Sequence, residues 1–123
     1  MKFDTIIIGG GLSGLISGIY LSQRGQRCVI ISSGQSALHF SSGSFDLLNN
    51  LPDGTSVQKP LDAISELVKQ APTHPYAKLG ETKFKELAQQ AEEFLKNAGI
   101  STQGDHEENH YRVTPMGTLK PTW

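Results

Sequence analysis

The chain opens on a short β-branched run, Phe3 to Ile8 (FDTIII), that stops at a cluster of glycines, the pattern of a buried strand. From Gly11 to Arg24 the apolar residues Leu12, Leu15, Ile16 and Ile19 recur at helical spacing. This predicts a helix carrying them on one face and stopped by Gly25. Arg27 to Ile31 (RCVII) predicts a second buried strand. The three elements form a β-α-β unit of about 30 residues, whose strands should be parallel and whose crossover should be right-handed.

Residues 28 to 58 contain no Lys or Arg and only Asp46 and Asp53 as acids, and they gather Ser32, Ser33, Ser36, Ser41, Ser42, Ser44 and Ser56. Leu38, Phe40, Phe45, Leu47 and Leu48 make this stretch too apolar for a free linker, so a long ordered loop is predicted. Pro52-Asp53-Gly54 marks a turn. A helix should run from Pro60 to Ala71 on an apolar face of Leu61, Ile64, Leu67 and Val68, with Pro72 and Pro75 breaking the pattern. Glu81 to Ala98 predicts a second long helix, with Phe84, Leu87, Ala88, Ala91, Phe94 and Leu95 on one side and Gly99 as its cap. Short extended pieces follow at Ile100–Gln103, Tyr111–Thr114 and Gly117–Leu119, around a Pro115-Met116 turn.

Composition narrows what such a chain can do. With 11 Lys+Arg against 12 Asp+Glu the net charge is -1, so no global field draws nucleic acid or anionic lipid, and any anion site must be local. A single cysteine excludes an intrachain disulfide framework and a Cys-rich metal site, in keeping with a reducing compartment. Cys28, within the second strand, reads as a small buried apolar residue. No signal peptide and no membrane span is expected.

The chemistry sits in the glycine turn. Gly9-Gly10-Gly11-Leu12-Ser13-Gly14 spells G-x-G-x-x-G directly after a strand and at the start of a helix, the context the dinucleotide fingerprint requires. Gly9 permits the tight turn, Gly11 leaves room for a phosphate against the backbone, and Gly14 lets helix and strand approach. The helix N-terminus then supplies N–H groups and positive dipole. The competing reading is a glycine-rich turn that packs with no ligand. No lysine follows Gly14, which excludes the nucleoside-triphosphate loop. The fingerprint's second half is missing: where an acid should hold the adenosine ribose, the chain has Ser32 and Ser33. That favours a mononucleotide such as FMN, or an atypical FAD, over NAD or NADP.

His106-Glu107-Glu108-Asn109-His110 matches the zinc-protease string H-E-x-x-H, but it lies in a polar stretch with no downstream third ligand and reads as a chance match. No metal site is expected. His39, beside Phe40 in the serine-rich loop, reads as structural or solvated, and no catalytic residue is assigned.

The stretch FDTIIIGGGLSGLISGIYLSQRGQRCVIISSGQSALHFSSGSFDLL, with QAPTHPYAKL and RVTPMGTLKPTW further on, resembles the B-subunit family of bacterial anaerobic glycerol-3-phosphate dehydrogenase. Members are several times longer, so the chain resembles an N-terminal portion. The resemblance implies a flavoprotein subunit holding FMN, with FAD as the alternative. Its partners would be an FAD-bearing catalytic A-subunit and a membrane-bound iron–sulfur C-subunit, and its place would be the cytoplasmic face of the cell membrane. The complex would oxidise sn-glycerol 3-phosphate to dihydroxyacetone phosphate and pass electrons to a quinone, in respiration on fumarate or nitrate. Carried onto this sequence, the cofactor-binding residues are Gly9, Gly11, Gly14, Ser32 and Ser33, with Ser41, Ser42 and Gly43 approaching the flavin. The expected fold is α/β, an incomplete domain with a Rossmann-like β-α-β start of the FAD/NAD(P)-binding type and appended helices and short strands. Residues 1–50 would form the nucleotide-binding unit with its serine-rich loop, and residues 51–123 an extension of the same domain. A generic FAD- or NAD-dependent oxidoreductase domain and a non-catalytic assembly module are the other readings.

Overall fold

The structure, a computed structural model, describes residues 1–123 and divides them into two compact units, Met1–Gly43 and Ser44–Trp123. The first unit is the expected β-α-β. Strand β1 (Thr5–Ile8) pairs in parallel with β2 (Cys28–Ile31), in a register that sets Ile6 beside Val29 and Ile8 beside Ile31. Helix α1 (Leu12–Gln23) makes the crossover. It stops in a Schellman motif: Gly25, at φ +81°, donates to the Ser22 carbonyl and Gln26 to that of Leu21. At the far end of the strands, Asp4 takes a bidentate bond from the Arg27 guanidinium and a third from its backbone N–H.

The face α1 turns to the strands differs from the one its apolar spacing predicts. A Cβ on Gly18 would lie 3.1 Å from Ile30 Cδ1 and 3.4 Å from Ile7 Cδ1, so the contact is made by a glycine against two isoleucines. Leu12, Leu15 and Ile19 stay exposed. Small residues let the helix axis approach the sheet, and that close approach decides the face over the larger side chains. Beyond β2, Ala37–Phe40 forms a 3-10 turn capped by Ser36, whose hydroxyl accepts from Leu38 N at 3.3 Å. The serine-rich stretch is therefore ordered by its own short hydrogen bonds.

The second unit has a core of Leu48, Leu51, Val57, Ile64, Leu67 and Phe84. Helix α2 (Ile64–Gln70) buries Ile64 and Leu67 but begins later than Pro60, because residues 60–63 form tight turns closed by Ala63 N to Pro60 O and Ile64 N to Leu61 O. Helix α3 (Pro75–Asn97) begins earlier than expected. Pro75 occupies its first position, where a missing N–H costs nothing, and the His74 ring caps it by accepting from Tyr76 N. Gly80, at φ +75°, interrupts α3, so the predicted helix from Glu81 is its second, longer segment. Gly99 ends α3 in another Schellman motif that ties Ile100 N to Leu95 O, which removes the extended piece expected from Ile100. Strands β3 (His110–Val113) and β4 (Leu119–Thr122) form an antiparallel hairpin, with β4 two residues later than predicted. Residues 115–117 are spent on the turn, closed by Gly117 N to Thr114 O and Thr114 N to Thr118 O.

The ends of this unit are clasped together. Phe45 O accepts from Trp123 N at 2.7 Å and from Thr122 Oγ1 at 2.9 Å, the Phe45 and Trp123 rings meet at 5.5 Å, and Lys120 pairs with Asp46. Asn109, buried, donates to the carbonyls of Leu48 and Val57 and so fixes the segment before β3 to the core.

Candidate functional site

The glycine turn bridges the C-terminal end of β1 and the N-terminus of α1. Gly9 has φ +111°, which an L side chain would adopt only with strain, and its N–H bonds Ile31 O at 2.8 Å, bolting the turn to the end of β2. Gly11 is the N-cap of α1, in extended conformation, with no side chain to occupy the first-turn N–H groups. A Cβ on Gly11 would meet nothing within 4 Å, whereas a Cβ on Gly14 would lie 2.1 Å from the Gly9 carbonyl oxygen. The two glycines thus serve opposite ends. Gly14 is bare so that helix and turn can touch, and Gly11 is bare beside open space at the start of the helix, whose first-turn N–H groups have no partner within the helix. The residues of this turn fit a phosphate group.

Ser32 follows β2 directly, and its side chain lies over the turn: a Cβ on Gly10 would come within 2.9 Å of its Oγ. Gly9, Gly11, Gly14 and Ser32 are therefore brought together at one end of the sheet. Ser33 is the next exposed residue along. Ser41, Ser42 and Gly43 lie past the 3-10 turn in a loop with local bonds, Ser41 N to Leu38 O and Gly43 N to Ser41 Oγ. Cys28 is half-buried, its Sγ 3.8 Å from the Gln26 carbonyl.

The H-E-x-x-H string is not helical. Residues 106–108 form bends, and the two histidines diverge. His106 turns inward, with Nδ1 2.6 Å from Glu92 Oε2 on α3 and its ring edge-on to Trp123. His110 lines an open cleft of ≈ 360 Å³ with Lys59, Asp62, Lys85, Asp105 and Glu107. No group of three or more His, Cys, Asp or Glu side chains is placed to hold a metal ion.

Two features escaped the sequence. The middle glycine of the cluster, Gly10, is required neither by the fingerprint nor by its backbone angle, and only the contact with Ser32 accounts for it. The His106–Glu92 pair joins residues of separate elements, and no local pattern announces it.

Comparison with known proteins bears on this site. The family model described as "FAD binding domain" matches residues 4–123. Along its whole length the chain is 51% identical, over 123 residues, to the anaerobic glycerol-3-phosphate dehydrogenase B-subunit of Pectobacterium atrosepticum, of which it covers 29%. It is 56% identical over 124 residues to the same-named protein of Yersinia pestis, again 29% of that protein, and 50% identical to that of Haemophilus ducreyi, covering 28%. The chain thus spans under a third of the length of the curated relatives it matches. No solved structure matches it. No helix is long and apolar enough to cross a membrane.

Proposed function

We propose that this chain, which belongs to the FAD binding domain family, supplies the phosphate-holding part of a flavoprotein within an anaerobic glycerol-3-phosphate dehydrogenase complex. The observation that carries the reading is the pairing of a closed Gly14 contact with open space at Gly11, at the head of an uncapped helix. In the complex, sn-glycerol 3-phosphate loses two electrons and two protons to become dihydroxyacetone phosphate, and the electrons continue to a quinone. A bound flavin supplies the two-electron acceptor chemistry.

The chain's own contribution is to bind and orient. The N–H groups of the first turn of α1 hold the phosphate, aided by the helix dipole. Ser41, Ser42 and Gly43 form the loop assigned to the ring side of the cofactor. The flavin we expect is FMN. The family description favours FAD, but Ser32 and Ser33 at the end of β2 offer no carboxylate for an adenosine ribose. The partners would be two further proteins of the complex, one catalytic and FAD-bearing, the other a membrane-bound iron–sulfur protein that holds this one at the cytoplasmic face of the membrane.

The test is made on the full-length protein that contains this chain. Purified alone, it should show flavin absorbance, and chromatography of acid-released cofactor should identify FMN. Reconstituted with its partners, it should be reduced by sn-glycerol 3-phosphate. Absence of any flavin from the folded full-length protein would overturn the assignment.

A further inference from the structure

We propose that Ser32 is a phosphate-binding residue matched to Gly10, and that this pair selects a cofactor ending in a phosphate monoester. The inference rests on the flavin reading above and deepens it. Gly10 does not have a positive φ, so its backbone would accept any residue, and the fingerprint places no demand there. What a side chain there would crowd is Ser32: a Cβ at position 10 would stand 2.9 Å from its Oγ and 3.0 Å from its Cβ, so the hydroxyl would have to turn away. The Gly9 N–H bond to Ile31 O, at 2.8 Å, holds the residue before Ser32 against the turn, so this closeness is built into the backbone.

The Ser32 hydroxyl therefore lies beside the turn rather than reaching away from it, and no protein group takes it up. A serine oxygen extends one bond beyond Cβ, whereas the carboxylate usual at this position extends far enough to span two ribose hydroxyls. From where Ser32 stands, the group within reach is the one seated on the turn. Its O–H can donate to a phosphate oxygen, adding to the backbone N–H groups a charge-assisted bond of the stronger kind. No Lys or Arg lies between Arg27 and Lys59 to take that role. A terminal phosphate monoester, with more unsubstituted oxygens than either phosphate of a dinucleotide, makes the most of an added donor.

The test uses apoprotein of the full-length chain titrated with FMN and with riboflavin, which lacks the phosphate, and followed by flavin fluorescence. Ser32→Ala should weaken FMN binding roughly tenfold or more while riboflavin affinity stays within about twofold of wild type. Gly10→Ala, which pushes the hydroxyl off the turn, should give the same FMN-selective loss. Combined with Ser32→Ala it should add little, since both remove one interaction. An FMN affinity unchanged by Ser32→Ala, or an equal loss for riboflavin, would overturn the role of Ser32. A folded wild type that takes up neither flavin refutes the underlying flavin reading and this inference with it, a result distinct from either of those.

Discussion

Gly14→Ala probes the turn most directly. The added methyl would lie 2.1 Å from the Gly9 carbonyl oxygen, 3.2 Å from the Gly9 carbonyl carbon and 3.4 Å from Ile7 Cγ2. An unstrained carbon–oxygen contact is roughly 3.3 Å, so helix and turn must part by on the order of 1 Å. The obstructing atom is backbone, and its residue is held by the bond from Gly9 N to Ile31 O, which leaves no flexible side chain to yield. Forcing a methylene-sized group into such a contact costs about 1–3 kcal/mol, offset by at most about 1 kcal/mol from replacing a helical glycine by alanine. A net loss of about 1–2 kcal/mol is expected, with α1 displaced from the position in which its N–H groups meet a phosphate.

Gly11→Val is the comparison that gives this result its meaning. A Cβ there meets nothing within 4 Å and the backbone at φ -76° accepts it, so the cost should be limited to that of a poorer N-cap, about 1 kcal/mol, and the protein should stay folded. Flavin content should nonetheless collapse, because the branch fills the space left to the phosphate. Denaturant unfolding and flavin-to-protein ratio, measured on the full-length protein, give both quantities. Gly14→Ala with wild-type stability and cofactor content would refute the close-contact argument. Gly11→Val with normal cofactor content would falsify the assignment of the turn to a phosphate.

Other substitutions test the remaining parts. Arg27 holds the Asp4 carboxyl below its ordinary range, so the stabilisation from this pair is complete above roughly pH 4 and is lost as pH falls through the lowered value. Asp4→Asn should lower stability at neutral pH and flatten the acid limb of a stability–pH curve. Phe84→Ala, in the core of the second unit, should cost about 3–5 kcal/mol and raise hydrogen exchange across residues 44–123. His106→Ala should lower the melting temperature through loss of the Glu92 bond and of packing on Trp123, the bond itself being worth about 1 kcal/mol because Glu92 is partly exposed and regains water, whereas His110→Ala should not. Neither should alter metal content by elemental analysis. Ser32→Glu, made alongside Ser33→Glu, should raise the ratio of FAD to FMN in released cofactor by roughly tenfold, and an unchanged ratio for both would show that the adenosine site is closed by something other than a missing acid.

The β-α-β unit was readable because each of its signals is local. Ile6, Ile7 and Ile8 end at glycines, Cys28 to Ile31 follow a glycine stop, and that stop is realised as a positive-φ Gly25. The face of α1 was not readable, since amphipathic spacing weighs large side chains and takes no account of how closely Gly14 and Gly18 let the backbone approach. Pro75 read as a breaker although the same rigid ring starts α3, and the choice depended on His74 serving as the cap. At the glycine turn the local geometry was legible: a positive φ at Gly9, open space at Gly11 and a close contact at Gly14. The fit of Ser32 against Gly10 became visible only when the end of β2 was brought beside the turn.

This division has a physical origin. A phosphate is held largely by backbone N–H groups at a helix start, so a run of glycines in the right context encodes most of that contact. A flavin ring is held by side chains and by the enclosure around them, and the first unit encloses little. Its parallel strands are covered by α1 on one face only, while Ile6 at 62%, Ile8 at 89% and Ile31 at 55% exposure remain open on the other. Parallel sheets are stable when both faces are covered, and two strands alone are marginal. The relatives are more than three times as long as this chain. On the proposed reading the phosphate contacts fall within the first 32 residues, whereas the ring contacts would come from Ser41 to Gly43 and from elsewhere in the full-length protein. For that reason the FMN and riboflavin titrations, which separate the two contributions, belong in the full-length protein.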